Sequence, residues 1–123
     1  IALALAEAGI ARLTLANRTA EKAERLAAAI RRAHPEIPVR ASAAEAADAD
    51  LVVNATSLGM GPDDPLPIDP ETISPGALVA DVVMTPSALL EAAAQRGCRT
   101  HPGAPMLDGQ VQAMAAFLKV HAA

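Results

Sequence analysis

The chain has 123 residues, a length that predicts one domain or part of one. Hydrophobic residues make up 52% of it and charged residues 20%, and this composition excludes a long disordered chain. Its net charge of −4 argues against nucleic acid or an anionic membrane as a partner, because both need clustered Lys and Arg. The single cysteine, Cys98, excludes a disulfide framework, and we interpret it as a small, partly buried hydrophobe. No apolar run approaches the ~18 residues of a membrane span. We expect a cytoplasmic protein without a metal site.

Residues 1–8 predict a helix that ends at Gly9. No Ser, Thr, Asp or Asn caps its start, and its hydrophobic pattern is already complete at Ile1. We therefore expect an N-terminally truncated fragment of a larger protein.

Strands and helices alternate in the next part of the chain. Residues 12–16 predict a strand, and Thr19 is the candidate cap of a helix that ends before Pro35. Residues 38–41 predict a second strand. Residues 42–49 predict a short helix, because a serine at its first position is followed three residues later by a glutamate.

The alternation continues to the end of the chain. Residues 50–54 and 77–83 predict buried strands, separated by a proline-rich loop at 60–76 with one helical turn. A helix at 87–96, a strand at 98–101 and a last helix at 106–120 follow. This order predicts an α/β fold with a doubly wound parallel sheet, in which ligands bind beyond the carboxyl ends of the strands.

The first strand is followed by Asn17, Arg18 and Thr19, with Lys22 three residues further on. In a dinucleotide-binding domain an acidic residue at this place binds the free ribose hydroxyl of NAD. Two cations and a hydroxyl at a helix start suit a 2′-phosphate instead. A helix cap with two solvated cations explains the same residues equally well.

The strand at 50–54 ends in Asn54, Ala55, Thr56 and Ser57, which place three small polar side chains at the end of a buried strand. They indicate either a ligand-lining segment or an ordinary turn between strand and loop. The next strand ends near Val82, which could pack against a nicotinamide ring or belong to the core.

The last helix has an apolar stripe formed by Leu107, Val111, Met114 and Leu118, and Gln110 lies beside it. A polar amide at that boundary needs a partner. The partner is either a ligand or solvent and backbone at the surface.

Taken in order, these segments resemble the cofactor-binding domain of the shikimate dehydrogenases, including the quinate/shikimate dehydrogenases. The resemblance covers nearly the whole chain and rests on the segments at 17–22, 54–60, 81–86, 103–107 and 110. Two features of the family are missing: a glycine-rich phosphate loop, expected before Ile1, and a substrate domain with a catalytic Lys–Asp pair. Met84 stands where many members have a tyrosine, so the choice between shikimate and quinate stays open.

The resemblance implies a Rossmann-like NADP-binding domain, from 1 to 123, of an oxidoreductase that interconverts 3-dehydroshikimate and shikimate in chorismate and aromatic amino-acid biosynthesis. It assigns residues 17–19 and 22 to the 2′-phosphate, 54–57 and 82 to the rest of the cofactor, and 110 to the substrate. No catalytic residue is expected in this chain, so the chain alone should be inactive.

Two other functions remain open at this point. One is another NADP-linked dehydrogenase with the same domain, such as a glutamyl-tRNA reductase relative. The other is a nucleotide-sensing module that has lost catalysis. The oligomeric state also stays open, with a homodimer as one option.

Overall fold

The computed structural model describes residues 1–61, 63–84 and 87–119. The chain divides into two compact units, Ile1–Glu45 and the part that begins at Ala46. Each unit contains a parallel sheet with helices, so the predicted α/β class is confirmed.

The first unit has two helices and two strands. They are α1 (Ala2–Glu7), β1 (Leu13–Leu15), α2 (Ala20–Ala33) and β2 (Val39–Ala41). Gly9 ends α1 with a φ of +81°, which glycine adopts without a steric penalty. The strands β1 and β2 run parallel, with Leu13 opposite Val39. Because α2 buries Ala27 and Ile30 completely, its small and branched side chains hold the helix close to this sheet.

The second unit contains three parallel strands in the order β3–β4–β5. Their bounds are Leu51–Asn54 for β3, Leu78–Asp81 for β4 and Arg99–His101 for β5. A 3-10 helix at Pro70–Thr72, α3 (Ala88–Gln95) and α4 (Ala104–Phe117) complete the unit. The predicted single turn within the proline-rich loop, and the helix behind Ser87, are confirmed.

The core of the second unit lies around Ile73, Val79 and Leu89, each at most 1% exposed. Cys98 packs at the edge of this cluster, and its Sγ lies 3.5 Å from the carbonyl oxygen of Ser74. The interpretation of Cys98 as a small hydrophobe in the core is confirmed, and at 9% exposure it is more deeply buried than the partial burial expected.

The predicted helix at 42–49 is wrong, since the structure has bends and a turn there. The amide of Ser42 donates to the carbonyl oxygen of Leu15 at 3.0 Å, which extends the pairing of β1 and β2 by one residue. The Ser42 hydroxyl donates to the carbonyl oxygen of Ala43 and therefore does not cap a helix. Backbone pairing outweighs the local capping pattern.

Other bounds differ by a few residues. The strand predicted at 77–83 stops at Asp81, whose carboxylate accepts the amide of Val83 at 3.0 Å and turns the chain out of the sheet. The last helix begins at Ala104 rather than 106, with Pro105 in its first turn, where a missing N–H has no cost. The predicted end of that helix at Val120 lies outside the described residues.

The predicted apolar stripe of α4 lies on a helix as expected, but its side chains are exposed. Leu107, Val111, Met114 and Leu118 are 46–62% exposed. No helix in the described part of the chain is both long and apolar enough to cross a membrane.

Gly103 brings the start of α4 against the end of β4. A Cβ atom at this position would lie 2.4 Å from the carbonyl oxygen of Val82 and 2.8 Å from that of Val83. The amide of Gly103 donates to the Val83 oxygen at 3.3 Å. Both obstructing atoms belong to the backbone, so the site has no flexible side chain that could yield.

We expect Gly103→Ala to lower the free energy of unfolding by about 1–3 kcal/mol, because the added methyl group must displace the end of β4. Denaturant titration followed by circular dichroism measures the change. Gly109→Ala is the matched control, since a Cβ there meets no atom within 4 Å and alanine favours a helix. A Gly103→Ala protein as stable as this control would contradict the close approach.

Candidate functional site

The turn between β1 and α2 is fixed by Asn17. Its side-chain Oδ1 accepts the amide of Thr19 at 2.9 Å, two residues along the chain. Thr19 is the N-cap residue of α2, as predicted, but its side chain forms no capping hydrogen bond. The hydroxyl of Thr19 is therefore left for another group at the helix start.

Arg18 and Lys22 supply two positive charges at this turn. Both are exposed, and among the described residues neither side chain forms a hydrogen bond or an ion pair. The amino end of α2 adds the partial positive charge of a helix start. The predicted cluster is therefore assembled within the first unit. Its two charged side chains have no ion-pair partner among the described residues, and such an arrangement suits the binding of an anion.

A groove of about 520 Å³ opens beside the same turn, between the start of α2 and the chain that follows β2. It is lined by Asn17, Ala20, Glu21, Ala23, Glu24, Ala41, Ser42 and Ala43. Four of these are alanines, whose small side chains leave the space open. The sequence does not reveal the second wall of this groove, because its pattern predicts a helix at 42–49.

At the end of β3, the amide of Asn54 is only 4% exposed and is fully used within the protein. Its Nδ2 donates to the carbonyl oxygen of Leu58 at 3.1 Å and to both carboxylate oxygens of Asp81 at 3.2 Å. Its Oδ1 accepts the amide of Thr56 at 3.0 Å and the Thr56 hydroxyl at 2.7 Å. Asn54 thus shapes the loop, and Ala55, Thr56 and Ser57 form its exposed surface.

Asp81, 1% exposed, is the polar residue that the sequence did not single out as part of the site. It lies opposite Asn54 in the register of β3 and β4, and it accepts hydrogen bonds from that amide and from the amide of Val83. One signal in the sequence could have revealed it, because it is the only charge within the apolar run 77–83. A carboxylate in such a run must find donors when it is buried.

Val82 is half-buried beside this pair, and its amide donates to the carbonyl oxygen of Asn54 at 3.1 Å. The structure therefore brings the predicted residues of the β3 and β4 ends together. Gln110 is not joined to them by any hydrogen bond among the described residues, and it lies exposed on α4.

The sequence is similar to curated shikimate dehydrogenases, although it matches no family model. It is 42% identical over 114 residues to the NADP(+) shikimate dehydrogenase of Rubrobacter xylanophilus, covering 87% of this chain and 40% of that protein. The chain thus spans about 40% of the length of the curated relatives that it matches. The predicted resemblance to this family is confirmed over that part.

Two solved structures share the fold. A quinate dehydrogenase from Corynebacterium glutamicum, in complex with NAD, gives a TM-score of 0.76 at 34% identity, over 86% of this chain and 40% of that one. The ligand-free 5-ketofructose reductase of a Gluconobacter strain gives 0.75 at 35% identity, over 85% and 40%. The Rossmann-like class predicted from the sequence is therefore confirmed.

Asn54 and Asn17 form the same local turn in different surroundings, which allows a matched comparison. We expect Asn54→Ala to lower the free energy of unfolding by roughly 1.5–3 kcal/mol, because it removes the side-chain donor of a buried carboxylate. Asn17→Ala, at an exposed turn, should cost no more than about 0.5 kcal/mol. If thermal or denaturant unfolding shows the same loss of stability for both variants, the buried contact with Asp81 does not add to the stability of the turn.

Proposed function

We propose that this chain forms the NADP-binding part of a shikimate dehydrogenase, an oxidoreductase that interconverts 3-dehydroshikimate and shikimate. The proposal rests on Arg18 and Lys22 at the turn after β1, two cations that form no ion pair among the described residues. An acidic residue at this place would favour NAD, whereas two cations favour a cofactor with an added phosphate. The names of the curated relatives support the same cofactor.

The residues of the first unit fit the adenosine half of NADP. Arg18, Thr19 and Lys22 would hold the 2′-phosphate with two charges and a hydroxyl. The alanine-walled groove beside Asn17 offers room for the adenosine, and no large side chain has to move to open it.

The residues of the second unit would hold the other half of the cofactor. The loop 55–57 presents exposed backbone and hydroxyl groups, and Val82 presents an apolar side chain near the end of β4. Asn54 would contribute by holding this loop, since its own amide is occupied. When bound, NADP supplies or accepts the hydride, and the protein determines its position.

Gln110 is our candidate for the substrate contact. It is exposed on α4, and its amide both donates and accepts, which suits a polyhydroxylated ring. The proton transfer would be carried out by the catalytic Lys–Asp pair that the family has on its substrate domain. No Lys–Asp pair of this chain matches it. The likeness to a quinate dehydrogenase supports a cyclic polyol as the substrate class. Met84, 52% exposed, stands where many members of the family have a tyrosine near the substrate, so the choice between shikimate and quinate stays open.

Arg18→Ala should weaken NADP binding by about ten-fold or more, because a charge-assisted hydrogen bond to phosphate contributes roughly 1.5–3 kcal/mol. NAD binding should barely change. Calorimetric titration of the protein expressed from the whole open reading frame that encodes this chain measures both. Arg25→Ala, an exposed arginine further along α2, is the control for a general loss of positive charge. Equal losses for NADP and NAD would remove Arg18 from the phosphate site.

Gln110→Ala should lower kcat/KM for shikimate by roughly ten- to a hundred-fold, since an unpaired substrate hydroxyl costs about 1–3 kcal/mol. The affinity for NADP should stay unchanged. Gln112, about 200° further round the helix, is the internal control and should tolerate the same change. Steady-state kinetics of the same full-length protein measures kcat/KM for each variant. A Gln112→Ala protein with a lowered kcat/KM, together with a Gln110→Ala protein with an unchanged one, would contradict this assignment.

A further inference from the structure

The buried contact between Asn54 and Asp81 connects two loops that leave the sheet at the same edge. Asn54 and Asp81 are the last residues of β3 and β4 and lie opposite each other in the register. The amide of Asn54 holds Thr56 and Leu58 of one loop, and the carboxylate of Asp81 holds Val83 of the other. Two loops that are 27 residues apart in sequence are thereby fixed by one amide–carboxylate contact.

The hydrogen bonds of this pair determine which side chains can replace its members. A carboxylate only accepts, so Asp81 receives the Asn54 amide and the Val83 amide at the same time. An asparagine at position 81 can accept only with its oxygen. If that oxygen takes the place of Asp81 Oδ1, it still accepts from Val83 and from Asn54. Its NH₂ group then takes the place of Oδ2 and faces the NH₂ group of Asn54, which weakens the contact between the two side chains.

Alanine and asparagine at position 81 therefore disturb the contact to different extents. Asp81→Ala removes both links, because it leaves no acceptor for the amides of Asn54 and Val83. Asp81→Asn keeps the acceptor at Oδ1 for both amides and loses only the contact of Asn54 with Oδ2.

We propose that Asp81 is a positioning residue for the reaction: through Asn54 and Val83 it holds the loops 55–58 and 82–84 in the relative placement that aligns the reactive end of the cofactor. This inference rests on the proposed function. Asp81 itself is 1% exposed, so it would act through these loops rather than by direct contact with a ligand. The rate of the chemical step depends steeply on the alignment of the reacting groups, because a displacement of about 1 Å can lower this rate ~100-fold.

The proposal is tested with the full-length protein, by measuring turnover per binding site and the affinity of adenosine 2′,5′-bisphosphate. This probe carries the 2′-phosphate half of NADP and lacks the nicotinamide, so it counts folded protein with an intact first unit. Asp81→Ala should bind the probe as the unchanged protein does, while kcat per site falls by about ten- to a hundred-fold. A purely structural role would reduce the number of probe sites and leave kcat per site unchanged.

The conservative variant supplies the comparison. We expect the kcat per site of Asp81→Asn to stay within about three-fold of the unchanged protein, since Oδ1 still accepts from both amides. If Asp81→Ala cannot be purified, Asn54→Ala takes its place, because it removes the donor of the same contact. An alanine variant with unchanged kcat per site, or an Asp81→Asn protein as impaired as Asp81→Ala, overturns the proposal.

The same measurements distinguish this proposal from the proposed function. If the unchanged full-length protein neither binds adenosine 2′,5′-bisphosphate nor oxidises shikimate with NADP, the proposed function fails, and the positioning role fails with it. If the unchanged protein does both, only the variants bear on Asp81.

Discussion

A buried carboxylate that has no cation beside it among the described residues is the constraint on which the second unit depends. Asp81 is almost fully buried, and among the described residues its hydrogen bonds come from a side-chain amide and a backbone amide rather than from Lys or Arg. An ionised group taken out of water is costly unless such donors meet it. The chain after β4 must therefore turn at Val83, and the end of β3 must present Asn54. The course of both loops follows from the need to satisfy this one side chain.

Small side chains set the other limit on the structure. Gly103 lets α4 begin where a Cβ atom would collide with the backbone after β4, and Ala20, Ala23, Ala41 and Ala43 keep the groove of the first unit open. The sequence has 31 alanines, and its one aromatic residue, Phe117, is 86% exposed and lies outside the core. The alanines permit close contact of helix and sheet in some places and leave an open groove in another.

Local patterns in the sequence predicted most of the elements, because periodicity, prolines and the glycines at helix ends act over a few residues. Gly9 and Gly97 do end their helices with positive φ angles. The failures arose where distant backbone decided the outcome. Ser42 has the pattern of a helix cap, yet it pairs with Leu15, which lies 27 positions earlier in the chain. For the candidate site, the sequence indicated the charged turn and the polar loop but not Asp81, whose role depends on its opposite residue across the sheet.

Asn17 and Asn54 show why the same local turn can have two functions. Each asparagine follows or ends a strand and accepts an amide two residues ahead. Asn17 is exposed, so its turn presents Arg18 to solvent, where a charge can select between cofactors. Asn54 is buried against Asp81, so buried hydrogen bonds hold its turn. In the proposed function Asn54 would affect the alignment of a ligand through this turn and not by contact with its own amide, which is already hydrogen-bonded. In the proposed function, selection of the cofactor and its alignment would therefore depend on different residues, and a change in one need not disturb the other.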